Sequence, residues 1–167
     1  KIKFIGTQED VVTVDSILEQ ARVLNYRYGI NGLVIDPWNT VEHKLERGET
    51  ETNYISRMLS KINAFAKLHD VHIWIIAHPR KMEISSDGKV SVPTLYDISG
   101  SANWYNKIDN GITVHRHRTD DSDYVGLYVG KIRHQYKNGK PGVVELYYNV
   151  NTGRYYERAE TENNLFG

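Results

Sequence analysis

The segment Gly32-Leu33-Val34-Ile35-Asp36-Pro37-Trp38-Asn39 constrains the fold of this chain more than any other stretch. A short apolar run stops at one carboxylate and then a proline. Runs of this length, bounded in this way, read as strands of a parallel sheet covered on both faces. A strand that ends in Asp puts an anion at the carboxyl edge of the sheet, where open α/β sheets bind their ligands. The same local pattern also serves as a plain strand followed by an Asp turn, so its meaning depends on what flanks it.

The flanking sequence repeats the pattern. Residues 1–5 read as a short strand. Thr13 can cap a helix running to about Tyr28, with Val14, Ile17, Leu18, Ala21 and Leu24 on one face. A polar loop over 37–50 leads to a second helix over 51–69, where Ile55, Met58, Leu59, Ile62, Phe65 and Leu68 fall at helical spacing. Residues 72–77 are the next apolar strand. Strand, helix, strand, helix, strand is the order of a right-handed parallel α/β sheet. The loop over 78–97 is long for a compact domain, contains Ser85-Ser86-Asp87-Gly88 and carries Arg80, Lys81 and Lys89; this favours a functional or mobile segment. A short helix over 99–107 and a strand over 110–117 follow. Beyond them the pattern becomes antiparallel: strands over 125–135, 143–149 and 154–157, with turn residues at Asn138-Gly139 and Asn151-Thr152-Gly153. Residues 1–158 read as one domain and the polar residues 159–167 as a tail.

Composition excludes several classes. The chain has no Cys, so it has neither a disulfide framework nor a thiolate metal site; this fits a reducing compartment, and a cytoplasmic protein is expected. No apolar run approaches the roughly 18 residues of a membrane helix. Lys plus Arg and Asp plus Glu both number 21, so net charge is zero and nucleic-acid binding has to come from a local patch.

Four features carry chemistry. Asp36 stands at its strand end, where P-loop nucleotide hydrolases hold Mg²⁺. A second strand end reads Ala77-His78-Pro79-Arg80-Lys81; an imidazole there can bond a terminal phosphate, or simply the backbone. Asp97-Ile98-Ser99-Gly100-Ser101-Ala102 offers small residues at a helix start, which suit close approach of phosphate and equally suit a plain cap. Gly130-Lys131-Ile132-Arg133 places two cations on one strand face, which need an anionic partner or solvent.

In this order and spacing, the four resemble the C-terminal half of the ATPase domain of replicative hexameric helicases of the DnaB and Twinkle type, a family that includes phage primase–helicases. Val34-Ile35-Asp36 looks like the Walker B strand and His78-Pro79-Arg80-Lys81 like the phosphate-sensing motif in its Twinkle-like form. Ser99-Gly100-Ser101-Ala102 through Ile108-Asp109 is similar to the motif that begins at the DNA-binding loop. Lys131-x-Arg133, followed by Asn138-Gly139, is similar to the strand carrying the trans-acting Lys/Arg finger. The resemblance implies a RecA-like P-loop NTPase core: a parallel sheet flanked by helices, with antiparallel hairpins at the C-terminal end. It implies ATP and Mg²⁺ as cofactors, with Asp36 ordering Mg²⁺ through water and His78 sensing the γ-phosphate. Lys131 and Arg133 would reach a neighbouring subunit's nucleotide. Arg80, Lys81, Ser99 and Gly100 would contact single-stranded DNA inside a hexameric ring.

One departure stands out. No G-x-x-x-x-G-K-[ST] occurs in the sequence, and the family's catalytic Glu lies on an upstream strand. The chain therefore reads as a fragment that lacks those two strands and is inactive alone, within a parent helicase. The family's missing Walker A strand would lie between the strands at 72–77 and 111–116. Three rival readings remain: a non-catalytic RecA-like assembly or nucleic-acid-binding module; a recombinase-type ATPase sharing the Walker B strand; and a metal-dependent hydrolase using His115 and His117 with Asp120, Asp121, Asp123 and His134.

Overall fold

A computed structural model describes residues 2–5, 11–86, 90–116 and 124–157. The chain divides into two compact units, residues 1–80 with 96–108, and residues 81–95 with 109–167.

The first unit is built from two capped helices and two parallel strands. α1 (Val14–Tyr28) starts at Thr13, whose hydroxyl accepts from the Ser16 amide while the Ser16 hydroxyl accepts from the Thr13 amide. This reciprocal pair satisfies two amides that the first turn cannot. α1 ends at Gly29 in the left-handed region. α2 (Glu51–His69) is capped by Thr50. Its buried stripe is Tyr54, Ile55, Met58, Leu59, Ile62 and Phe65. Leu68, expected on that stripe, is 80% exposed because the core contact ends at Phe65.

β1 (Gly32–Ile35) and β2 (His72–Ile75) pair in parallel, with Ile35 opposite Ile75. Leu33 and Ile35 are buried with α1 and α2 in one core that also holds Trp38 and Trp104. The other face is open: Val34 and Trp74 are each more than half exposed. This corrects the expectation of strands buried on both faces, since cover exists on one side only among the described residues. Residues 2–5, expected as a strand, run irregularly with Ile2 and Phe4 exposed, having no ladder partner among those residues.

α3 (Ser101–Lys107) completes the first unit. The second holds an antiparallel sheet in the order β3 (Asn110–His115), β4 (Tyr124–Ile132), β5 (Gly142–Asn149), β6 (Arg154–Tyr156). β2 and β3 share no ladder. The Asn149 side chain accepts from the amides of Asn151 and Thr152 and so closes the β5–β6 turn, as its sequence predicts. Asn138-Gly139 does not form a simple hairpin turn. Residues Gln135–Asn138 make one helical turn, α4, whose last bond runs from the Gly139 amide to the Gln135 carbonyl. Within the second unit, the described residues of 81–95 carry one bridge, Ile84 to Val90; Asp87, Gly88 and Lys89 lie outside the described residues.

Candidate functional site

The carboxyl edge of the β1–β2 pair brings Asp36 and His78 to the same end of the same sheet. The strands stay stitched beyond their formal ends. The Ile76 amide donates to the Ile35 carbonyl at 2.9 Å, and the Trp38 amide donates to the Ile76 carbonyl at 2.7 Å. The His78 amide then donates to the Asn39 side-chain oxygen at 2.7 Å. Both Asp36 and His78 are exposed, so each can meet a ligand. The chain turns away from the edge because Trp38 dives into the core, 3% exposed, with its ring edge-on to Trp104 at 5.3 Å. Sequence reasoning singled out Asp36 and His78 but missed Asn39 and Trp38. The signal for Trp38 was available: a Trp two residues past a strand end has a large apolar area to bury.

The loop that follows Asp36 is held down by α2. The Tyr54 hydroxyl donates to the Glu42 carbonyl at 3.2 Å. The Arg57 guanidinium makes a two-pronged contact with Glu49 at 2.9 and 2.7 Å and reaches Glu46 at 3.3 Å. The paired guanidinium, helped by the Glu46 amide, holds the Glu49 carboxyl down at about 2. His43 lies against Trp38 and Tyr54 in the same loop.

Of the expected nucleic-acid contacts, Arg80 is open to solvent, its side chain 72% exposed, with one nitrogen 3.3 Å from Asp97. Its amide donates to the Asp97 carbonyl at 2.7 Å, which joins the two points where the chain leaves and re-enters the first unit. Lys81 is exposed and belongs to the second unit. Ser99 uses its carbonyl to accept from the Trp104 indole at 2.8 Å. Gly100 precedes α3 at φ +73, and a Cβ built on it would come within 2.7 Å of the buried Ile55 side chain. Its glycine therefore has a packing reason independent of any ligand.

Lys131 and Arg133 form a separate cluster in the second unit. β4 ends at Ile132, so Arg133 is in the turn and not on the strand as expected. Its amide and guanidinium both engage Asp109, the latter at 2.9 Å. Asp109 is thus the anionic partner that two neighbouring cations require. Burial, and next the charge of Arg133, push the Lys131 ammonium below the ordinary lysine range, with Asp109 opposing.

The alternative metal centre gains nothing. Among the described residues, no group of three His, Asp or Glu side chains can hold a metal ion. His115 packs edge-on to Tyr128, and His134 lies beside Tyr136. His117, Asp120, Asp121 and Asp123 lie outside the described residues.

No family model matches the chain. The sequence is similar to a Twinkle homolog. That protein, the chloroplastic/mitochondrial Twinkle homolog of Arabidopsis thaliana, is 43% identical over 150 residues, an alignment that covers 88% of this chain. The chain spans 21% of the Twinkle homolog's length. The similarity agrees with the helicase family to which the order of the motifs points. Its name places that relative in chloroplasts or mitochondria, whereas the sequence reading expects a cytoplasmic protein. Among the described residues no helix is long and apolar enough to cross a membrane.

Proposed function

We propose that this chain is part of the RecA-like ATPase domain of a DnaB/Twinkle-type replicative DNA helicase, which moves along single-stranded DNA as a hexameric ring. The observation that carries this reading is the shared edge: a strand-end carboxylate and a strand-end imidazole, both exposed, on adjacent parallel strands. The 43% identity to a Twinkle homolog supports it.

The donor set fits a nucleotide-bound Mg²⁺. Asp36 offers one exposed carboxylate, and no described residue competes for it; a single such group suits an ion held through its water shell. Bound Mg²⁺ supplies neutralisation of charge on the β- and γ-phosphates. Asp36 orients that hydrated ion. With a nucleotide bound, His78 would be the residue able to donate to a γ-phosphate oxygen and so to register its loss. Trp38, buried against Trp104, anchors the turn that follows Asp36 at this edge. Arg133 has five donors, enough to keep Asp109 and still engage a phosphate on a neighbouring subunit; Lys131 stands beside it. Arg80, Lys81 and the Ser99-Gly100 turn are the proposed contacts to the DNA backbone.

Mixing tests the ring and the trans-acting finger together. In the full-length protein, Asp36→Ala and Arg133→Ala should each abolish DNA-stimulated ATP turnover. Mixed rings should recover part of it, because some interfaces then join an intact Asp36 to an intact Arg133. No recovery, with subunit exchange demonstrated, overturns the trans assignment.

A further inference from the structure

We infer that Asn39 is a positioning residue that sets the height of His78 above Asp36, an inference that rests on the nucleotide-edge reading. The two strands would part company after Ile76, because no main-chain rung follows the bond from the Trp38 amide to the Ile76 carbonyl. Pro79 has no amide to offer. The next rung is made instead by a side chain: the Asn39 amide oxygen accepts from the His78 amide at 2.7 Å. Asn39 itself stands at a defined place, inside the 3₁₀ turn Trp38–Thr40 that is anchored by the buried Trp38.

This arrangement has a mechanical consequence. His78 is exposed and follows the end of β2, so its main chain has freedom to slide along the strand axis once the ladder stops. A sensor of one phosphate oxygen has to hold its imidazole within a fraction of an ångström of the productive position. The Asn39 bond removes that freedom by tying the sensor's own amide to the turn that carries Asp36. Asn39 is exposed, so its replacement leaves the core intact, and its effect should run through His78.

The test uses the full-length protein with Asn39→Ala, Asn39→Asp and His78→Ala. Amide hydrogen exchange at His78 should speed up by at least about tenfold in Asn39→Ala and stay slow in Asn39→Asp, whose carboxylate keeps the acceptor. DNA-stimulated kcat should fall about tenfold in Asn39→Ala, with KM for ATP held within about twofold, the pattern of an interaction used in the chemical step. Asn39→Asp should restore most of that loss. In a His78→Ala background, Asn39→Ala should cost nothing further, because the imidazole it positions is gone. An equal loss in both backgrounds overturns the positioning role, as does unchanged exchange at His78 in Asn39→Ala. If His78→Ala alone leaves DNA-stimulated turnover intact, the sensor reading itself fails, which is a distinct result.

Discussion

Replacing Gly100 by Ala separates a packing role from a ligand-contact role at the proposed DNA-facing turn. Gly100 sits at φ +73, and an added Cβ would lie 2.7 Å from Ile55 Cδ1 and 3.3 Å from Ile55 Cβ and Cγ2. Ile55 is fully buried in the first unit's core, and two of the three close atoms, Cβ and Cγ2, lie at the base of its side chain, so turning Cδ1 aside does not by itself relieve the contact. The left-handed backbone costs an alanine roughly 1–2 kcal/mol. Forcing a methyl group into a filled site adds about 1–3 kcal/mol. The expected destabilisation is therefore about 2–5 kcal/mol. Urea unfolding followed by tryptophan emission measures it cleanly, because Trp38, Trp74 and Trp104 all belong to the unit that contains Gly100. At a urea slope of about 1.5 kcal/mol per molar, the midpoint should drop by about 1–3 M. A shift under about 0.5 M refutes the packing argument. A variant that unfolds normally but loses DNA binding would instead give Gly100 to the ligand.

Two further outcomes are expected. The Glu49 carboxyl is held near 2 in the folded chain, against an ordinary 4.5; its pairing with Arg57 thus stabilises fully above about pH 4.5 and is lost as pH falls toward 2. Thermal melts of wild type and Arg57→Met should differ at neutral pH and converge as pH approaches 2, whereas a gap that ignores pH would contradict the assignment. In the full-length protein, Arg80→Ala and Lys81→Ala should each weaken single-stranded DNA binding and flatten the slope of log affinity against log salt by about 0.7; an unchanged slope removes that residue from the phosphate contacts.

Local physics made much of the first unit legible. The helices at 14–28 and 51–69 follow from 3.6-residue spacing, and the first also from Thr13 as its cap, and the structure puts them there. The placing of Asp36 and His78 each at a strand end was equally readable, because each apolar run stops at a polar residue; that the two strands pair directly is a finding of the structure. The errors arose where a pattern depends on a partner. Residues 1–5 alternate well enough for a strand, but the described residues 2–5 have no described ladder neighbour. Val34 and Trp74 are apolar yet exposed, since apolarity says a face is made for cover without saying what supplies it. Arg133 leaves the strand one residue before alternation alone would end it, because Asp109, just ahead of β3 and more than twenty residues away in sequence, holds its amide and its guanidinium. Asn39 carries no local signal for the same reason: its hydrogen bond to the His78 amide spans 39 residues.

The most direct test of the account is ATP turnover by the full-length protein carrying Asp36→Ala, measured alongside ATP binding. If Asp36 orders the Mg²⁺ of a nucleotide at the β1–β2 edge, turnover should vanish with and without single-stranded DNA, and the melting profile of the protein should stay as in wild type, since Asp36 is exposed. Turnover that survives Asp36→Ala at the wild-type rate would contradict the central claim and remove the nucleotide from this edge.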